Sequence, residues 1–184
     1  MKKIVLLLIF LAIPSFAIYV DVGLGYGGAS SEVDDHSLEC NGCDEIAVTL
    51  GLRIGGQVTE RLWIAGELAA LGHRYYDSDN YIQLNSYLFG PSIIFYPVDH
   101  FHLSGSIGLS WTANETDIRG LDPDDGSGAA LEFTAAYDTG VRGHGALIGM
   151  KVFSSSNELE NIKKDMSMVG VTLFIAYVHK SVAI

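Results

Sequence analysis

The chain has 184 residues, 48% of them hydrophobic, and its 22 acidic and 11 basic side chains give a formal net charge of −11. That balance excludes nucleic acid as a partner, because phosphate binding needs a basic face. The length fits one domain, and after residue 17 no apolar run approaches the ~20 residues of a membrane-spanning helix.

The chain opens MKKIVLLLIFLAIPSFA. Two lysines, an apolar run from Ile4 to Ile13, Pro14 and a small-x-small ending at Ser15 and Ala17 read as a secretory signal peptide, residues 1–17, cut after Ala17. The mature domain, 18–184, is then placed outside the cytoplasm, and losing Lys2 and Lys3 makes it more acidic.

From Ile18 onward an apolar or aromatic residue recurs at every second place, the strand period. In residues 18–28, Ile18, Val20, Val22, Leu24 and Tyr26 oppose Tyr19, Asp21 and three glycines. In 46–56, Ile46, Val48, Leu50, Leu52 and Ile54 oppose Ala47, Thr49, Gly51, Arg53 and Gly55. The third segment, from Leu62 to about Tyr76, sets Leu62, Ile64 and Leu68 against Trp63, Ala65, Glu67 and Ala69. The fourth sets Tyr87, Phe89, Ile93 and Phe95 against Ser86, Gly90 and Ser92, with Pro91 in mid-strand where it removes a ladder donor. The fifth sets Leu103, Ile107, Leu109 and Trp111 against Ser104, Ser106, Gly108 and Ser110. The sixth sets Leu131, Phe133, Ala135 and Tyr137 against Glu132, Thr134 and Asp138. In the seventh, Ala146, Ile148, Met150 and Val152 oppose Gly145, Leu147, Gly149 and Lys151. The eighth, VGVTLFIAY, sets Val169, Val171, Leu173, Ile175 and Tyr177 against Gly170, Thr172, Phe174 and Ala176. Short turns near 56–61, 97–101 and 138–143 alternate with long polar links at 29–45, 112–128 and 154–166; the link at 77–80 is short.

The eight apolar faces carry no Asp, Glu, Lys or Arg. Turned toward water they would wrap the domain in apolar surface far beyond the few hundred Å² a soluble monomer exposes. A lipocalin-like barrel would do the reverse, with bulky apolar residues inside and charges outside. The consistent solution is an eight-stranded antiparallel up-and-down transmembrane β-barrel, closed because hydrocarbon forbids unpaired edges. Lipid lies outside it, and the interior is small and polar. Asp21, Arg53, Glu67, Glu132 and Lys151 then face the lumen of a barrel just wide enough to be filled by side chains, and they read as an interior ion-pair network that plugs it. Aromatic residues fall at both ends as two interfacial girdles: Trp63, Phe95, Tyr96, Phe101, Tyr137 and Tyr177 near the short turns, and Tyr26, Tyr75, Tyr76, Tyr81, Trp111 and Phe153 near the long loops.

The signal peptide, the eight segments, the stretch YLFGPSIIFYPVD and the ending VGVTLFIAY together resemble the small eight-stranded outer-membrane barrels of the OmpA-domain, OmpX and opacity-protein type. The resemblance implies residence in the bacterial outer membrane, contact with its lipid, and assembly by the barrel-assembly machinery, for which Gly170, Leu173, Ile175 and Tyr177 occupy the places of a final-strand signal. The segment HKSVAI continues past the point where many such barrels stop.

Several motifs carry rival chemistries. Cys40 and Cys43 in ECNGCDE have a spacing that zinc and thiol redox sites use. A zinc site needs further ligands, for which only His36, Asp34 and Asp35 stand near, whereas an oxidising compartment favours a local disulfide. Asp122, Asp124, Asp125 and Gly126 in LDPDDGSG match the start of a calcium loop but lack its bidentate Glu. Lipid A deacylases resemble the chain in architecture and use a His-x-Ser-Asn motif. Ser154-Ser155-Ser156-Asn157 lacks the histidine and His179-Lys180-Ser181 lacks the asparagine, so neither pairs a nucleophile with a base. His73, His100, His102 and His144 read as rim or turn residues. The expectation is a non-enzymatic surface-interaction barrel without cofactor or metal, whose acidic loops meet an extracellular or surface partner. A lipid-modifying barrel enzyme and a soluble secreted ligand-binding barrel are the alternatives.

Overall fold

A computed structural model describes residues 17–38, 42–77, 80–116, 124–140 and 143–181. Within them lie eight long strands: β1 (Ile18–Val33), β2 (Asp44–Thr59), β3 (Leu62–Asp77), β4 (Asn80–Val98), β5 (Phe101–Thr112), β6 (Gly126–Asp138), β7 (Gly143–Leu159) and β8 (Asp165–Lys180). Each pairs antiparallel with the next, and β8 returns to β1 along a ladder running from Tyr19↔Lys180 to Val33↔Met166. The ring therefore closes, which satisfies the backbone polar groups that a bilayer cannot. Two short segments extend the loop end: His36–Ser37 folds back on β1 and Glu115–Thr116 pairs with β4.

Alternation decides which way each side chain points. Leu24, Leu50, Phe89, Leu109, Phe133 and Leu173 are exposed on the outside, whereas Thr49, Ser92, Ser106, Thr134 and Thr172 are buried within. Pro91 is accommodated by a local gap. The β4–β5 ladder is paired at Phe89↔Leu109 and again at Ser92↔Ser106, with nothing between. There the two backbones approach so closely that a Cβ on Gly90 would lie 2.1 Å from the Ile107 carbonyl oxygen.

Three expectations need correction. The long links shrink, because β1 continues to Val33, β7 runs to Leu159 and β8 begins at Asp165. Above the apolar belt the outward residues are Ser30, Glu32, Ser156, Glu158 and Ser167, so hydropathy stops alternating while the backbone ladder does not. The girdles lose four members: Trp63, Tyr75, Tyr96 and Phe153 are buried in the lumen, while Phe95, Phe101, Tyr137 and Tyr177 at one end and Tyr26, Tyr76 and Trp111 at the other face outward. Each inward aromatic stands an even number of residues from an inward neighbour, and parity overrides its position along the strand. Nor is the interior polar throughout. Tyr19, Trp63, Ile94, Tyr96, Leu147 and Val178 pack together at the short-turn end, and Leu71, Leu88, Phe153, Met166 and Met168 pack toward the loops. The charged residues lie between these two apolar layers.

Candidate functional site

The charged layer is built around β2. Its Arg53 is the direct cross-strand partner of Asp21 on β1 and of Glu67 on β3. Arg53 Nη1 lies 3.4 Å from Asp21 Oδ2, and Nη2 lies 2.9 Å from Glu67 Oε1 and 2.6 Å from Glu132 Oε1. Glu132 belongs to β6, on the opposite side of the ring, so this last pair crosses the lumen. Lys151 Nζ stands 2.9 Å from the same Glu132 oxygen. Arg53 also donates to Thr134 Oγ1, the Tyr19 hydroxyl donates to Asp21, and the Ser106 hydroxyl donates to Glu67. The Arg53–Glu67 approach is a charge contact rather than an aligned hydrogen bond, since Glu67 Oε1 has no hydrogen-bond partner. Gly51 leaves the room Lys151 occupies: a Cβ there would sit 2.7 Å from its Nζ. All five charged residues are at most 5% exposed. Three carboxylates face two cations in this layer, so removing either cation strands a buried negative charge, the costly way to break such a pair.

A second buried ion pair escaped the sequence reading. Lys180 Nζ lies 2.5 Å from Asp138 Oδ2 and donates to the Gly140 carbonyl, and the Tyr96 hydroxyl donates to the same carboxylate at 2.8 Å. Parity carries the signal for both: Asp138 is six residues from Glu132, and Lys180 is eight from Thr172. The HK of the final segment thus completes β8, and the Ser181 backbone N–H bonds to the Ile18 carbonyl.

His73 and His102 are not rim residues. Both are fully buried in the lumen, His102 beside Tyr96 and His73 between Ser31 and Glu45. The Ser31 hydroxyl lies 2.9 Å from His73 Nδ1, and His73 Nε2 lies 3.3 Å from Glu45 Oε2. This is a hydroxyl, imidazole and carboxylate in series, the arrangement that activates a nucleophile. Ser31, however, is only 1% exposed, and no acyl substrate reaches it in this conformation. Of the other histidines, His100 occupies the β4–β5 turn and His144 is exposed at the short-turn rim.

The loop end is tied together by acidic side chains. Asp124 accepts from the backbone N–H groups of Asn161 and Ile162 and from Asn161 Nδ2, joining the β5–β6 and β7–β8 connections. Asn114 donates to the Asp124 carbonyl and to Asp125. Asp34 pairs with Lys164 at 2.8 Å, joining the β7–β8 turn to the β1–β2 loop. The hydrogen bond and the charge of Lys164 hold the Asp34 carboxyl below its ordinary range. At Asp124, desolvation pushes the carboxyl up, but the bonds donated by Ile162 and Asn161 outweigh it and the net direction is down. His36 bonds the Asp34 carbonyl. Cys43 packs near the upper apolar layer; Cys40 and Asp122 lie outside the described residues. Among the described residues no group of three or more His, Cys, Asp or Glu side chains is arranged to hold a metal ion. In Ser154-Ser155-Ser156-Asn157, Ser155 bonds Ser86 inside the lumen and Asn157 is buried, while Ser154 and Ser156 face outward. Of the residues that the sequence places as a final-strand signal by resemblance, Leu173, Ile175 and Tyr177 face outward, and Gly170 faces inward against Leu71.

A closed ring of eight strands with an apolar exterior and a filled lumen is a small integral β-barrel of the bacterial outer membrane. Residues 4–172 match the model of the outer membrane protein beta-barrel domain, and the chain belongs to that family. Among solved structures, it is similar to Ail, the attachment invasion locus protein of Yersinia pestis, in complex with the heparin analogue sucrose octasulfate. That match has a TM-score of 0.59 and 12% identity, covering 88% of this chain and 98% of Ail. It is also similar to Neisserial surface protein A, with a TM-score of 0.52 and 12% identity over 87% of this chain and 97% of that one. No curated protein matches it significantly in sequence.

Proposed function

We propose that this barrel is a non-enzymatic surface-interaction protein whose acidic loop end binds an extracellular partner, and whose lumen passes no ions. The observation that carries this reading is the clasping of three connections by Asp124 and by the Asp34–Lys164 pair. A preorganised loop end loses less conformational entropy on binding than free loops would. The surface it presents, with Glu32, Asp35, Glu45, Glu158 and Glu160 exposed, is strongly acidic. Ail, of the same fold, was crystallised with a polysulfated sugar, whereas like-charge repulsion directs this chain toward a cationic protein surface. Cleavage after Ala17, pairing of Cys40 with Cys43, and recognition of Gly170, Leu173, Ile175 and Tyr177 by the assembly machinery belong to the same proposal.

The test is adhesion. Cells displaying the protein should bind an immobilised basic protein surface in a salt-sensitive manner and should not bind heparin, and Asp124→Ala, which opens the clasp, should weaken the first interaction. Heparin binding that survives the substitution sinks the proposal. The rival reading, a lipid-modifying enzyme, finds its one support in the Ser31–His73–Glu45 series. It predicts a change in lipid A mass on expression that Ser31→Ala abolishes; an unchanged mass spectrum supports the non-enzymatic reading.

A further inference from the structure

On the outer surface at the short-turn rim, His144 on β7 and His179 on β8 are direct cross-strand partners. Their rings stand 4.6 Å apart. The Tyr177 hydroxyl bonds His144 Nδ1, and with the phenol donating, a neutral ring carries its proton on Nε2, free to donate outward. His179 Nδ1 is buried without a partner, which leaves Nε2 as the ring nitrogen that can donate outward. Ion pairing does not explain the cluster, since the nearby Asp138 and Lys180 satisfy each other inside the lumen.

The next outward rows toward the bilayer centre are Ala146, Tyr177 and Val22, then Ile148, Ile175 and Leu24. Small Ala146 beside bulky Tyr177 opens a groove of about 520 Å³, walled by Val22, Leu24, Leu50, Ala146, Ile175 and Tyr177. That volume is in the range of small-molecule sites, ~300–1,000 Å³. The outward aromatics Phe101, Tyr137 and Tyr177 put this rim at the headgroup level, and short turns face the periplasm in such barrels. An apolar groove thus runs from the hydrocarbon to a pair of imidazole donors at the depth of lipid phosphates.

We propose that this rim is a glycerophospholipid site, in which His144 and His179 donate to the phosphate and one acyl chain lies in the groove beneath Tyr177. Native mass spectrometry of the full chain released from detergent tests it, with phosphatidylglycerol, diacylglycerol lacking the phosphate, and glycerol phosphate lacking the chains as probes. The wild type should retain phosphatidylglycerol, and His144→Ala/His179→Ala, which removes two hydrogen bonds, should retain it about tenfold less well. His100→Ala, a control at the same rim stacked on Tyr137, should match the wild type, and neither partial probe should match the phospholipid. Should the alanine pair fail to fold, judged by unboiled gel mobility, His144→Gln/His179→Gln keeps N–H donors and should hold the phospholipid within about threefold of the wild type. Equal retention by a folded alanine pair, an equal drop in His100→Ala, diacylglycerol bound as tightly as the phospholipid, or loss in a folded glutamine pair each overturns the assignment.

Discussion

Arginine introduced at Leu50 and methionine at Arg53 probe the two faces of one strand. Leu50 is 56% exposed on the belt, between Leu24 and Ala70 of the flanking strands. A charge on a lipid face near the midplane costs about 2–4 kcal/mol. Arg53, 1% exposed, contacts three carboxylates, and Lys151 reaches only Glu132 among them. Methionine at 53 therefore leaves Asp21 and Glu67 with no cation in contact, and breaking a buried pair in this way costs about 3–5 kcal/mol. The two penalties differ in kind. Neutralising Glu67 should recover part of the Arg53→Met loss, by more than about 0.5 kcal/mol, the usual limit of additivity for independent sites, and should leave the Leu50→Arg loss untouched. Urea unfolding in phospholipid vesicles, followed by tryptophan fluorescence, measures all five variants: Leu50→Arg, Arg53→Met, Glu67→Gln, and each of the first two combined with Glu67→Gln. A Leu50→Arg protein as stable as the wild type would show that this face does not meet hydrocarbon. Strict additivity of Arg53→Met with Glu67→Gln would show that the cross-strand pair has no energetic coupling.

The charged layer and the two apolar layers fill the lumen, so the purified barrel in a planar bilayer should show no steady ohmic conductance; stable open channels would refute the plug. Cys40 and Cys43 should be mutually oxidised in protein from the cell envelope, and two alkylated thiols found by mass spectrometry without reductant would exclude the bond. The loop clasps should depend on pH with a definite sign. The folded-state carboxyls of Asp34 and Asp124 lie below their ordinary range, so their contribution is fully present above about pH 4, the unfolded aspartate value, and is lost as pH falls through the lower folded values. The protection of amides 160–165, relative to the unfolded chain at the same pH, should hold down to that range and fall below it, and loss of protection near pH 6 would contradict the assignment.

How much of this was legible in the chain depends on the range of the interaction. Strict alternation in segments such as 46–56 and 131–138 assigns each residue a side, and the absence of charge from one side names lipid as the solvent. The same parity held the information for Asp138, Lys180, His73 and Phe153. Position near a strand end instead suggested a turn or an interfacial girdle for the histidines and aromatics, and that reading lost to the pleat. The strands above the belt were not legible, because polar residues on both faces of Ser30–Val33 or Ser154–Glu158 erase the hydropathy signal while the backbone bonds persist.

That the chain forms a barrel, how many strands it has, and which face of each meets lipid all follow from a period of two that is local to every segment. Which inward residues meet is instead a property of the closed ring. Arg53 and Glu132 lie on opposite walls, 79 residues apart, and Ser31 and His73, 42 apart, sit at one depth. Such meetings depend on the strand register and on the closure of β8 against β1, which the whole ring sets together and no single strand encodes.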